Sequence, residues 1–210
     1  MRWWGLLSAA GTPAALIGGW LVAAQRQPRG YDPVHQTISA LAAHGATDRW
    51  VMTGALYAVG LGNVLTASAL CGLRRSSRLL LAAGGLAGIG VAVFPQPHSG
   101  SSALHIGCAA ASIVILAIWP ATVRVDEPTT SPTDGLSTAL TDGHARSTLL
   151  SKPLSLFVAA ALLGLDTWLF AAGHGSGQLG VAERVATGAE NVWPLAVVVA
   201  LRREPARMHG

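Results

Sequence analysis

Six segments of the chain are mostly apolar over about 20 residues, the length that a helix needs to cross the hydrocarbon core of a bilayer. They cover residues 3–24, 50–70, 79–95, 103–121, 154–172 and 181–201. Charged side chains make up only 11% of the chain, which is too few to coat a water-soluble globule. The sequence therefore predicts an all-α, polytopic membrane protein with six transmembrane helices, built as a single transmembrane domain over residues 1–210.

Lysine and arginine are distributed unevenly between the two sides of these predicted helices. Ten fall on the side of the termini, namely Arg2, Arg74, Arg75, Arg78, Arg124, Arg146, Lys152, Arg202, Arg203 and Arg207. Four fall on the opposite side, namely Arg26, Arg29, Arg49 and Arg184. Because loops that stay in the cytoplasm carry the excess of positive charge, we expect both termini in the cytoplasm and the protein in the inner (plasma) membrane. The basic residues cluster beside apolar segments, so the net charge of +4 indicates topology and not a nucleic-acid partner.

The longest hydrophilic stretch lies between the fourth and fifth predicted helices. Residues 122–152 are rich in Pro, Ser, Thr, Asp and Gly, a composition that cannot bury a hydrophobic core. We expect this segment to be a flexible cytoplasmic linker.

Small residues recur at four-residue spacing in the second and third predicted helices. They are Gly54, Ala58 and Gly62, followed by Gly84 and Gly88. Such stripes let helix backbones approach closely within a bilayer. We expect them to lie at helix–helix contacts.

The first outer loop carries a shorter helical pattern. Pro33 can begin a short outer amphipathic helix over residues 33–43. Its apolar stripe would be formed by Val34, Ile38 and Leu41. We expect this helix to lie at the outer membrane surface or to fold over the mouth of the bundle.

Polar side chains at membrane depth are costly, so their positions indicate function. In this chain they collect on the expected outer side. His35 and Ser39 share a face of the short helix, and Asp32 is placed to cap that helix or to orient His35. The full candidate pocket comprises His35, Ser39, His98, His105, Asp166 and Glu190.

The three histidines in this set suggest a metal centre. Neutral imidazoles are the usual ligands of catalytic zinc, which keeps an open position for water. His35, His98 and His105 are therefore the candidate ligands, and zinc is the candidate cofactor. No pair of the form His-x-x-x-His occurs, so spacing alone does not define the centre.

Two further hypotheses need no metal. Asp166 and Glu190 lie in apolar helices, where a protonated carboxyl can act as a general acid toward a lipid or isoprenoid substrate. Together with Ser39 they form the candidate catalytic set. Alternatively, these side chains hydrogen-bond one another between helices, and the protein is a non-catalytic scaffold or accessory subunit of a larger complex. Transport is less favoured, because the inner half of the bundle carries almost no polar group.

Three runs of residues resemble a known family. They are YDPVHQTISAL at 31–41, FPQP at 94–97 followed by Ser101 and His105, and GVAER at 180–184 leading to Trp193 and Pro194. They are similar to bacterial integral membrane proteins grouped as domain-of-unknown-function family 998, and the arginine-rich, lysine-poor composition resembles an actinobacterial member. The resemblance implies a six-helix membrane protein with a polar cluster on its outer side, and it implies no established reaction.

The content of histidine, serine and aspartate is also similar to that of transmembrane zinc hydrolases related to alkaline ceramidases. Those proteins have an additional helix and carry paired histidines on their last one, where this chain has Glu190. The likeness is one of content and not of arrangement, so no residue role is carried over.

From these patterns we expect an outward-facing pocket that binds or processes a lipid-like or isoprenoid molecule at the outer leaflet. The expected partners are the lipid bilayer, such a ligand and, in the alternative hypothesis, another membrane protein.

Overall fold

The computed structural model describes residues 2–28, 30–97, 100, 102–124 and 150–203, and these residues form an all-α bundle. Its six long helices are α1 (Trp4–Gln25), α2 (Trp50–Ala69), α3 (Arg75–Val93), α4 (Ala103–Thr122), α5 (Lys152–Ala171) and α6 (Leu179–Arg203). The prediction of six helices is confirmed, although α3 begins at Arg75 and not at Leu79. Within the predicted linker 122–152, residues 125–149 lie outside the described part of the chain.

Helices α1 to α5 are long and apolar enough to cross a bilayer, which indicates a multi-pass membrane protein. Helix α6 is more polar, because Glu183, Arg184 and Glu190 lie along it. It nevertheless runs the full height of the bundle: the amide of Gly180 donates to Val34 near one end, and Arg202 donates to the carbonyl of Trp3 at the other.

The helices form a ring in which each packs against its neighbours in sequence, and α6 closes the ring against α1. The ends of the ring differ in composition. The basic end carries the described cations Arg2, Arg74, Arg75, Arg78, Arg124, Lys152, Arg202 and Arg203. The opposite end, called the loop end here, is formed by residues 26–28, 30–49, 94–97 and 172–178, and backbone hydrogen bonds such as His44 N–H to Gln96 O join these loops.

A close contact joins the backbones of α2 and α3 through two glycines outside the predicted stripes. A Cβ placed on Gly60 would lie 2.6 Å from the carbonyl oxygen of Gly85, and the reverse distance is also 2.6 Å. Among the predicted small residues, Gly62 packs against Thr12. A Cβ on Gly54, however, would have nothing within 4 Å, so Gly54 makes no such contact with the described residues of this chain.

The first loop, residues 26–28 and 30–49, folds over the loop end of the ring. Of the two placements predicted for it, this is the one over the mouth of the bundle. The predicted helix 33–43 is wrong in extent, because only a 3₁₀ turn at Ser39–Ala42 forms. A helix would need the carbonyls of Pro33, Val34 and Gln36 for its own hydrogen bonds. Those three carbonyls instead accept hydrogen bonds from α6.

Burial of the first loop follows part of the predicted apolar stripe. Ile38 is 2% exposed and Leu41 is 1% exposed, and both pack with Leu16 and Met52 inside the loop end. Val34 is 40% exposed and does not share in this core. The loop is therefore an integral part of the bundle, and the site beneath it is built partly from loop residues.

Candidate functional site

A cavity lies inside the ring beneath the first loop. Ile38 and Ser39 of the loop line it, together with residues of α1, α2, α3, α4 and α6. Its volume is about 70 Å³. Most of the lining is apolar, and the polar groups concentrate on α6, with Asn63 facing them from α2.

A chain of amide hydrogen bonds crosses the ring beside the cavity. Asn191 Nδ2 donates to the carbonyl of Thr187 at 2.8 Å, which orients the Asn191 oxygen toward α2. Asn63 Nδ2 donates to that oxygen at 2.9 Å. In this orientation Asn63 Oδ1 is buried and has no hydrogen-bond partner among the described residues. One acceptor is therefore left open where Asn63 lines the cavity.

The two membrane-depth acids of the predicted catalytic set come together. Glu190 is 2% exposed and interacts electrostatically with the Asp166 carboxyl on α5. Neither Asp166 oxygen, nor Oε1 of Glu190, makes a hydrogen bond of good geometry with any described residue. Glu190 lines the cavity and Asp166 does not, so Glu190 is the acid that a molecule in the cavity would meet first.

Ser39, the third predicted catalytic residue, lines the same cavity nearer the loop end. Its hydroxyl donates to Oε1 of Glu183 at 3.3 Å. The backbone N–H of Ile38 donates to the other oxygen of Glu183 in a short hydrogen bond. Ser39 is therefore engaged in holding the first loop onto α6, and Glu183 is the acceptor that holds it.

Arg184 fixes the first loop from the neighbouring position on α6. Its guanidinium donates to the carbonyls of Pro33 and Gln36 at 2.8 and 2.9 Å, and it also donates to the Tyr31 hydroxyl. Burial raises the pKa of Tyr31 above its ordinary value, so this hydroxyl stays neutral. Arg184 thus donates to carbonyl oxygens of the first loop, and Glu183 accepts from one of its amides. Together they hold the loop over the cavity.

His35 lies on the surface of the first loop and not in the cavity. Its Nδ1 pairs with Oδ2 of Asp32 at 2.6 Å, which confirms the predicted orienting contact. The Val34 amide, and then the His35 ring, hold the pKa of Asp32 below its usual range. Asp32 is therefore ionised at neutral pH, and it accepts its hydrogen bonds from within the first loop.

His105 lies in the first turn of α4 and is 2% exposed. Its Nδ1–H donates to the carbonyl of Phe94 at 2.8 Å, which leaves Nε2 buried without a partner. Within the described part of the chain, no group of three or more His, Cys, Asp or Glu residues could hold a metal ion. His98 lies outside that part, so the zinc site remains a prediction that metal analysis of the full chain would test.

Sequence reasoning did not identify the docking role of Glu183 and Arg184. The sequence did contain one signal for this role, namely an acid next to a base inside a predicted transmembrane helix. Such charges need partners at that depth. The partners are backbone groups of the first loop, and no sequence pattern marks backbone groups as partners. Thr187, which orients the amide chain, carried no signal at all.

Comparisons with known proteins locate the chain by family alone. No curated protein and no solved structure matches it. Residues 9–200, nearly the whole chain, match the family described as Protein of unknown function (DUF998). This range includes every described residue that lines the cavity. The match confirms the resemblance found in the sequence, and the chain belongs to the DUF998 family.

Proposed function

We propose that the cavity binds the polar group and adjoining chain of a lipid-like molecule at the outer leaflet. The observation that carries this proposal is a pair of buried oxygens, Glu190 Oε1 and Asn63 Oδ1, that accept no well-formed hydrogen bond from any described residue and belong to residues lining a mostly apolar cavity. Apolar walls with a few convergent polar groups are typical of small-molecule sites.

The open polar atoms of these two side chains define the kind of group that fits. Asn63 Oδ1 is a carbonyl oxygen and can only accept, and Glu190 as a carboxylate can also only accept. A buried acceptor without a partner costs about 1–3 kcal/mol, which a donor on the ligand would recover. The favoured ligand therefore carries an amine or a hydroxyl group, and an acceptor-only group such as an ether is disfavoured.

The size of the cavity limits the shape of the ligand. A water molecule needs about 10–15 Å³ of such space, so 70 Å³ corresponds to a few water molecules or one slender group. Ile38 and Ser39 close the loop end of the cavity. These dimensions favour a linear chain with a small head group over a bulky polycyclic molecule.

The test compares three probes of equal chain length, namely a primary alkylamine, a primary alkanol and the corresponding alkyl methyl ether. Each is added to the full chain in nanodiscs, and the shift of the unfolding temperature is measured, because a ligand that binds the folded state raises it. The amine and the alkanol are expected to stabilise the protein, and the ether is not.

Two variants complete the test. Glu190→Gln removes the negative charge and replaces one carboxylate oxygen with an NH2 group, so it should weaken binding of the amine roughly ten- to hundred-fold, the range for a hydrogen bond to a charged group. Ser155→Ala removes another buried unpartnered polar atom, which does not line the cavity, and should leave binding unchanged. Equal shifts by all three probes would contradict the proposal, and no shift by any would favour the alternative of a non-catalytic membrane partner. Recovery of a chemically altered probe would add processing to binding.

We also propose that the basic end faces the cytoplasm, which places the loop end and the cavity mouth at the outer face of the plasma membrane. The clustering of described arginines at one end supports this orientation through the positive-inside rule.

A further inference from the structure

A second concave site lies at the basic end, at the opposite end of the bundle from the first loop. It is a groove between the end of α2 and the start of α3, with about 340 Å³ of space for water-sized molecules. This volume is within the range of about 300–1,000 Å³ that is usual for ligand pockets. Val64, Ala67, Leu73, Leu79 and Ala82 form its apolar lining, and Arg75 and Arg78 form its charged part.

The two arginines converge on the groove. They are three residues apart on α3 and so share a face of the helix. Arg78 Nε donates to the carbonyl of Ala67 at 3.1 Å, which fixes the guanidinium against α2. In the described part of the chain neither arginine forms an ion pair with a carboxylate. Among the described residues, the remaining donors of both guanidinium groups therefore face no anion.

The start of α3 adds to this positive field. A helix N-terminus carries a partial positive charge and normally attracts acidic side chains, yet the first turn of α3 contains none. Placing arginines there costs free energy in the absence of an anion. Charge complementarity thus favours an anionic occupant on this face.

We propose that the groove binds the headgroup phosphate of an anionic phospholipid in the leaflet at the basic end. A guanidinium group can bind a phosphate through two parallel hydrogen bonds. Leu79, which is 58% exposed, extends the apolar wall toward the surface that faces lipid, so an acyl chain can follow the phosphate into the groove. Free inorganic phosphate would make no use of this wall. Basic pockets between transmembrane helices are a common form of lipid headgroup site.

The test is native mass spectrometry of the full chain in mild detergent, titrated with dioleoylphosphatidylglycerol or dioleoylphosphatidylcholine. The wild type should bind the anionic lipid more tightly. The double variant Arg75→Gln/Arg78→Gln should lose about five-fold in affinity for each arginine, and its preference for the anionic lipid should disappear. Arg75→Gln alone keeps the bond from Arg78 to Ala67, so it provides the smaller loss if the double variant does not fold.

The matched control is Arg2→Gln/Arg203→Gln. It removes the same charge from exposed positions at the same end of the bundle, and neither residue lines the groove. Equal losses in the two double variants would show general attraction to a basic surface and would overturn the proposal. Equal binding of the two lipids by the wild type would overturn it as well. Displacement of the lipid by a large excess of inorganic phosphate would show that a free anion is the occupant, which would also refute the lipid assignment.

Discussion

Replacing Arg184 with alanine should release the first loop while leaving the ring of helices intact. The substitution removes three hydrogen bonds to the loop, to the carbonyls of Pro33 and Gln36 and to the Tyr31 hydroxyl. At about 1 kcal/mol for each, which allows for partial exposure to solvent, the loop should lose about 3 kcal/mol of docking free energy. The population with an open loop should then rise roughly a hundred-fold.

Hydrogen exchange measured by mass spectrometry in nanodiscs reports this population directly. The Ile38 amide, bonded to Glu183, and the Leu41 amide, bonded to Ile38, should exchange roughly a hundred-fold faster in the variant. Peptides from α3 should not change. Arg26→Ala is the control, because it breaks an ion pair near the same loop whose partners are 51% and 54% exposed, and such pairs contribute little. Unchanged exchange at residues 36–41 in Arg184→Ala, or equal acceleration in both variants, would refute the docking role.

Three further outcomes follow from the packing, the buried amides and the cysteines. Gly60→Ala should lower the unfolding temperature by an amount that corresponds to about 1–3 kcal/mol, because the new methyl group meets the backbone of α3. Gly54→Ala should leave the unfolding temperature unchanged, and similar shifts for the two variants would contradict the α2–α3 contact. Asn63→Ala and Asn191→Ala should each cost about 1–3 kcal/mol in thermal unfolding, and a cost of the double variant equal to the sum would argue against their pairing. Cys71 is free and exposed, so a membrane-impermeant maleimide should label it in inside-out vesicles; labelling in intact cells would reverse the proposed orientation.

The fold was largely predictable because bilayer thickness imposes a length on apolar segments that any sequence scan can find. The start of α3 is the instructive exception. Arg75 and Arg78 continue the helix beyond its apolar run, since long basic side chains can extend toward the polar boundary while their stems stay in apolar surroundings. Charge marked the end of the apolar segment in the sequence but did not end the helix.

The site was predictable only where a single residue was anomalous in its own segment. Glu190 stands out as an acid inside an apolar run, and it is indeed buried beside Asp166. The bond between Asn63 and Asn191 depends on the closure of the ring, and no local pattern carries that information. The helix predicted for the first loop was wrong for the same reason, because Arg184 binds carbonyl oxygens that this helix would have needed for its own hydrogen bonds.

The capping of α6 by the first loop has a consequence for biosynthesis. The carbonyl of Val34 accepts hydrogen bonds from the amides of Gly180 and Val181, so a loop synthesised early is completed by a helix synthesised after the other five. Until α6 is in place, the first loop lacks its docking partners. Chains that stop before residue 179 should therefore insert their first five helices and still present an open loop to quality-control proteases. Completion of the loop end thus reports that all six helices have been made.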